Sequence, residues 1–308
     1  MEHVSILLKE TVDGLDIKPN GIYVDGTLGR GGHSSYLLGQ LENGMLYAFD
    51  QDETAIKESR ERLQKISNQF ELIHTNFKNI KSELLKRDIQ EVDGMMFDLG
   101  VSSPQFDDGA RGFSYHQDAR LDMRMNQEQE KDAYMVVNEY SAKDLSNIFF
   151  KYGEEKFSKQ IANKIVEKRA IKPIETTLEL VDVIKEAMPK KFQIGKHPAR
   201  KVFQALRIEV NDELGVLEEM LDECLGMLKV GGRMSVITFH SLEDRIVKEH
   251  FAELSEPKKM PKGLPVMAKD LESDYKLVNK KVIVPSDEEI ESNARARSAK
   301  LRIIERIR

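Results

Sequence analysis

The feature that most constrains this chain is a rhythm in its first hundred residues. Short apolar runs alternate with stretches of helical period. Strands are expected at residues 22–25, 45–50 (MLYAFD), 70–74 (FELIH) and 93–99 (DGMMFDL), with helices between them at 33–41, 53–65 and 80–87. The apolar runs do not alternate with polar residues, so both faces of each strand must be covered. Strand–helix alternation of this kind builds a parallel sheet flanked by helices, and the expected fold class is α/β.

The rhythm then breaks. From about residue 105 to 206 no convincing strand is visible; the segment is polar, rich in Lys and Glu, and helical in period. Amphipathic helices are expected at 142–150, 156–169 and 178–187, the last capped by the Thr176-Thr177 pair. The α/β rhythm returns with a helix at 209–228, a turn at Gly231-Gly232, a strand at 233–239 and a helix at 242–254. A loop containing Pro257, Pro261 and Pro265 follows, then closing strands at 276–284 and 300–307. The expected organisation is a discontinuous α/β domain, residues 1–104 and 207–308, carrying an inserted all-helical domain, residues 105–206. A length of 308 residues accommodates both.

Composition excludes several function classes. No run of about 18 apolar residues is present, so no membrane span is expected. The opening MEHVSILLKETVDGL lacks a basic start and a small-residue cleavage site, which argues against a secretory signal. A single cysteine, Cys224, rules out an internal disulfide and suits a reducing cytoplasm. The net charge of −6 argues against indiscriminate nucleic-acid binding. Positive charge is nonetheless concentrated. Residues 188–207 carry Lys190, Lys191, Lys196, Arg200, Lys201 and Arg207 with no acid, and residues 293–308 carry six bases against Glu305 alone. Each stretch reads equally well as a phosphate-binding surface or as a solvated face.

The strongest local signal is YVDGTLGRGGHS at residues 23–34. A strand ends in Asp25; Gly26, Gly29, Gly31 and Gly32 follow; then a helix begins. Glycines there allow a tight turn and close approach of a ligand, and amides at a helix start favour a negative group such as a carboxylate. Asp50 closes the second strand, where a carboxylate can accept ribose hydroxyls. The dinucleotide pattern fails at Ser34, and no Walker Gly-Lys-Ser/Thr is present. An acid followed by alternating glycines at Asp25, Gly29 and Gly31 fits the methyltransferase pattern, with Thr27 replacing its first glycine. A bare tight turn is the alternative.

Strand four runs into DLGVSSPQ, residues 98–105. Methylating a base amine needs acceptors that hold its hydrogens and present the nitrogen, a task for Asp98 and for carbonyls near Ser102, Ser103 and Pro104. A strand-end acid capping the next turn is the plainer reading. Methylation at carbon-5 of a pyrimidine would need a thiolate nucleophile. Cys224 lies in step with Leu217, Met220, Leu221 and Leu228 and reads as core, so an exocyclic nitrogen fits better. Arg111, Phe113, Tyr115, Arg120 and Arg124 follow the loop and suit a splayed base and its phosphates, or alternatively a loop tied by pairs with Asp118 and Asp122. His240 has no spaced second His or Cys, so no metal is expected; Ser241 is expected to cap the next helix.

At this level the chain resembles the family of bacterial small-subunit (16S) ribosomal RNA cytosine-N4 methyltransferases, also called MraW or RsmH. The resemblance runs from His3 to Ile303 through DGTLGRGGHS, AFDQD, DLGVSSPQ, RGFSY, LDMRM, YGEEKFSKQIA, HPARKVFQALRIEVNDEL, FHSLEDRIVK and RARSAKLR. It implies a class I S-adenosylmethionine-dependent methyltransferase fold, Rossmann-like, with a mostly parallel seven-stranded sheet and a helical substrate domain. Gly31, Gly32 and His33 resemble the family's cofactor turn, Asp50 its ribose-binding acid, Phe77 the residue beside the adenine, and Asp98 and Gln105 two further cofactor contacts. The implied substrate is a cytosine near the decoding centre of 16S rRNA in an assembled small subunit, with neither membrane nor DNA as partner. Asn126, after LDMRM, departs from the family pattern, where an acid is frequent. A DNA amino-methyltransferase is a competing reading, but its usual proline-aromatic loop is replaced here by SSPQ. A non-catalytic RNA-binding assembly factor is another. The sequence leaves the oligomeric state open, a homodimer among the options.

Overall fold

The computed structural model describes residues 5–100, 108–195, 197–257 and 272–308. Seven strands form one sheet: β1 (Ile22–Asp25), β2 (Met45–Asp50), β3 (Phe70–His74), β4 (Val92–Asp98), β5 (Leu228–Thr238), β6 (Tyr275–Leu277) and β7 (Lys300–Arg306). Their order is β3-β2-β1-β4-β5-β7-β6. β1 to β5 pair in parallel, whereas β7 runs antiparallel to both its neighbours. β4, reading VDGMMFD, is buried from Val92 to Phe97, as a central parallel strand must be. On one side Leu37, Leu38, Ile56 and Leu63 pack with Leu46, Ala48 and Leu72. Another cluster joins Leu217, Leu221, Cys224, Val247 and Phe251 to Val24, Phe97 and Val236. The strand order reverses between β1 and β4, so the chain leaves their carboxyl ends in opposite directions and opens a crevice there.

The chain divides into two compact units, Met1–Gly100 with Val216–Arg308, and Val101–Gly215. The second unit has its own core, built from Leu121, Val136, Phe149, Ile161, Leu180, Phe203 and Leu206 among others. Its end lies nine residues beyond the expected 206 because a helix unforeseen in the sequence, Arg200–Asn211, buries Val202, Phe203, Ala205, Leu206 and Val210 in that core. The helix expected at 209–228 is observed as Glu213–Leu225; its expected first residues belong to the end of Arg200–Asn211, and the two helices are separated at Asp212 in the left-handed region (φ 49°).

Other departures have local causes. Gly231-Gly232 is no terminating turn: β5 runs through it, with a register shift opposite Val92 and Gly94. Of the proline loop, Pro261 and Pro265 lie outside the described residues. The strand expected at 276–284 shrinks to Tyr275–Leu277, because the Asn279 side chain takes over from the main chain. Its Oδ1 accepts the Ile303 N–H and its Nδ2 donates to the Leu301 carbonyl. Helix Ser241–Ser255 is capped by His240, not Ser241. The Thr176 cap is a full capping box with Glu179.

Candidate active site

Three parallel strands end in aspartate: Asp25 closes β1, Asp50 closes β2 and Asp98 closes β4. Beyond Asp25 the chain turns into the helix Gly32–Leu38. Gly29 and Gly31 take φ values of +49° and +71°, a region that side-chain-bearing residues enter at a cost. A Cβ on Gly31 would also stand 3.2 Å from Ser59 Cβ and Oγ. Among the described residues no side chain caps the helix start.

The turn is fastened from every side. Leu28 N–H donates to the Phe49 carbonyl at 2.9 Å, and Ser59 Oγ–H donates to the Gly29 carbonyl at 2.8 Å. Asp25 is buried with both oxygens occupied, Oδ1 by Thr27 N–H at 3.0 Å and Oδ2 by Ser34 O–H at 2.7 Å. Its carboxylate thus shapes the turn from beneath. Asp50 Oδ2 accepts Gly29 N–H at 2.8 Å and Oδ1 accepts Asp52 N–H at 2.9 Å. Each oxygen keeps a second acceptor site for a hydroxyl donor. Thr27 Oγ1 accepts Asp98 N–H at 2.6 Å, tying the glycine turn to the tip of β4. Phe77 opens a short turn after β3, its ring edge-on to Phe97 at 6.1 Å.

Asp98 stands apart from the other two acids. Its Oδ1 is buried with no hydrogen-bond partner among the described residues. Oδ2 faces His33 Nδ1 at 3.8 Å. His33 Nε2 lies 3.0 Å from the Ile6 carbonyl, which can only accept, so Nε2 carries a proton and Nδ1 is the atom turned toward Asp98. Burial pushes the Asp98 carboxyl up to about 8, with repulsion from Asp25 and then Glu243 adding to the rise. Burial likewise lifts Asp25 and Asp50 to about 6 each. Three clustered acids, one with an orphaned oxygen, form a site suited to a cation that donates hydrogen bonds.

Sequence reasoning missed four residues here. Thr27, Ser34 and Ser59 hold the turn through their hydroxyls. Glu243 uses Oε2 to accept Phe239 and His240 N–H at 2.8 and 3.2 Å, organising the end of β5. Ser34 is visible in the sequence only as a failed third glycine; its hydroxyl beside an acid is the usable signal. Ser102, Ser103, Pro104 and Gln105 lie outside the described residues. Cys224 is buried and its thiol is pushed up to about 12, mainly by burial, which leaves it inert as a nucleophile.

The second unit sorts the arginine and lysine candidates. Arg111 donates to the Arg124 and Met125 carbonyls at 2.9 and 3.1 Å. Arg124 grips Asp122 with Nε and Nη2 at 2.9 and 2.7 Å and also donates to the Gln129 carbonyl. These two guanidiniums therefore brace their own loop, the plainer of the two sequence readings. Arg120 pairs with Asp132 at 2.7 Å, lies over Tyr134, and keeps 56% of its side chain exposed. Arg207, counted among the free bases, makes a two-pronged pair with Glu213 at 2.7 Å across the helix break. Lys190, Lys191, Arg200 and Lys201 are exposed, Lys201 donating to the Glu154 carbonyl. Lys196 lies outside the described residues.

A seven-stranded sheet with a reversed β7 between β5 and β6, a glycine turn after β1 and acids ending β2 and β4 define a class I methyltransferase, the class whose methyl donor is S-adenosylmethionine. The model of the MraW methylase family matches residues 1–307, and the chain belongs to that family. Among solved structures it is similar to an rRNA methylase of Streptococcus thermophilus, at 13% identity over 99% of each chain with a TM-score of 0.42. A Clostridium thermocellum protein described as an rRNA methylase matches at 13% identity over 99% of this chain and 100% of that one, TM-score 0.46. A Streptococcus mutans protein in complex with SAH matches at 13% identity over 99% of both chains, TM-score 0.44. Among the described residues no helix is long and apolar enough to cross a membrane.

Proposed function

We propose that this methyltransferase modifies the exocyclic N4 amine of one cytosine in 16S rRNA, near the decoding centre of the small ribosomal subunit. The observation that carries the reading is Asp98 Oδ1, a buried acceptor without a partner among the described residues, at the tip of β4 beside the glycine turn. The donor set fits S-adenosylmethionine: a sulfonium and an ammonium match the acidic cluster, and ribose hydroxyls match Asp50. When bound, S-adenosylmethionine supplies an electrophilic methyl carbon. The Gly31 N–H is spent on the Leu28 carbonyl at 2.7 Å, so Gly31 would serve by shaping the turn, while the amides of Gly32 and His33 would hold the carboxylate at the helix start, Asp50 would accept the ribose hydroxyls, and Phe77 would lie beside the adenine. Asp25 acts through the turn it fastens. Gln105 is a further cofactor contact in this reading.

Asp98 accepts a hydrogen bond from the target amine, which keeps the nitrogen lone pair directed at the reacting carbon, and takes up the proton that the amine loses. Carbonyls of Ser102, Ser103 and Pro104 accept the second amine hydrogen. No covalent enzyme intermediate is needed, in keeping with a buried, protonated Cys224. The base is splayed out or already unpaired. The exposed Lys190, Lys191, Arg200 and Lys201, with Lys196, bind phosphates, and Arg120 contributes a partly exposed guanidinium. Arg111 and Arg124 act by holding the loop that carries them. The test is transfer of tritiated methyl from S-adenosylmethionine to small subunits prepared from a strain lacking the gene, followed by nucleoside analysis. Label in N4-methylcytidine supports the reading; label elsewhere, or none, refutes it.

A further inference from the structure

Many of the insertion's surface lysines are neutralised by a neighbouring acid. Lys164 pairs with Glu167, Lys168 with Glu186, Lys172 with Glu179 and Lys185 with Asp182. One region combines lysines that lack such a partner with an exposed aromatic ring. Phe157, just before helix Ser158–Arg169, meets Phe192, which ends the short turn Lys190–Phe192. The ring centroids lie 4.9 Å apart at an angle of 57°. Phe192 is 50% exposed and Ile194, two residues on, is 83% exposed, although such side chains are normally buried, while Phe157 packs partly buried against the unit's core. In sequence Lys156 precedes Phe157 and Lys159 follows it by two residues, and Lys190 and Lys191 both precede Phe192. All four are exposed, and among the described residues none has a carboxylate partner. The Lys191 ammonium lies 5.1 Å from the centre of the Phe192 ring.

An exposed aromatic ring, backed by a half-buried one and set among lysines without carboxylate partners, matches one ligand chemistry better than another. A protein partner of this kind of patch would need acidic groups beside an apolar anchor. A single-stranded polynucleotide brings both parts in every repeat: a flat base to stack and a phosphate for each ammonium. We infer that the Phe157–Phe192 pair is a stacking platform for an unpaired base of the RNA substrate, with Lys156, Lys159, Lys190 and Lys191 holding the flanking phosphates. This rests on the proposed RNA substrate and adds a contact outside the methyl-transfer site. The platform discriminates by strandedness, because a paired base offers no free face.

The test is fluorescence anisotropy of a labelled single-stranded RNA dodecamer with the full chain, measured over a salt series. Phe192→Ala should weaken binding about tenfold or more while leaving the salt slope unchanged, since stacking displaces no counterion. Phe192→Tyr should restore binding. Lys190→Ala with Lys191→Ala should instead flatten the salt slope, by about 0.7 per lysine for a single strand. Calorimetric binding of S-adenosylhomocysteine should be unchanged in all three, which shows that they fold. Equal affinity of Phe192→Ala and wild type overturns the platform, as does tighter wild-type binding to a duplex of the same sequence. A shift in sedimentation from dimer to monomer in Phe192→Ala, without loss of RNA affinity, overturns it in favour of a contact between copies. Methylation of small subunits by the wild-type chain is scored separately, so failure of the platform leaves the proposed reaction standing, and failure of the reaction is seen on its own.

Discussion

Replacing Asp98 by Asn should make the protein more stable at high pH while removing its activity. The Asp98 carboxyl rises from 3.8 to about 8, first through burial and then through Asp25 and Glu243. A folded-state value above the unfolded one means that the group's stabilising contribution is complete below about pH 4 and is lost as pH climbs through about 8. Taken in full, such a rise would be worth roughly 6 kcal/mol. Because 30% of the Asp98 side chain meets solvent, screening reduces this to about 1–3 kcal/mol. Asn keeps the shape and cannot ionise, so the variant escapes the loss. Calorimetric melting of both proteins from pH 4 to pH 9 should give curves that nearly coincide at the acid end and separate by several degrees at the alkaline end, with the Asp98→Asn variant higher. Methyl transfer by the variant should fall at least about a hundredfold, the scale of a lost general base. A melting difference that is flat with pH, or wild type gaining on the variant above pH 8, would refute the burial argument.

Asp50→Ala removes the acceptor of Gly29 and Asp52 N–H together with the proposed ribose contact; calorimetry should show S-adenosylmethionine binding at least about tenfold weaker. Gly31→Ala forces a side chain into φ +71° beside Ser59, so chemical denaturation should show a loss of about 1–2 kcal/mol along with weaker cofactor binding. Glu213→Gln breaks a nearly buried two-pronged pair with Arg207; thermal melting should report about 2 kcal/mol of destabilisation, and an unchanged melt would show the pair to be idle. Ala at Lys190, Lys191, Arg200 and Lys201 together should weaken subunit binding and flatten its salt dependence while sparing cofactor affinity; an unaltered salt series discards the phosphate surface.

The parallel half of the sheet was legible because its strands are short apolar runs between helical stretches, and β1 and β2 end in acids: β1, β2 and β3 occupy the residues expected of them. The antiparallel end was less legible. β6 is three residues long, and the Asn279 side chain imitates the main chain where a strand was expected, which no periodicity announces. The break at Asp212 was hidden because both flanking segments are helical in period, and a left-handed aspartate leaves no mark in a hydropathy pattern. At the site, residue types were readable but allegiance was not. Asp25, Asp50 and Asp98 look alike in sequence, yet the first is buried and held by Thr27 and Ser34, the second accepts the Gly29 and Asp52 amides while staying partly exposed, and the third has an orphaned oxygen. Arg111 and Arg124 read as phosphate ligands or as braces of their own loop until their carbonyl and carboxylate partners are located.

The most direct measurement is mass spectrometry of 16S rRNA from cells in which a gene carrying Asp98→Asn replaces the wild-type gene. If the acid at the tip of β4 presents a cytosine amine, one cytidine should lose the mass of a single methyl group and regain it when the wild-type chain is supplied. An RNA carrying its full complement of methyl groups in the Asp98→Asn strain would contradict that role for the acid.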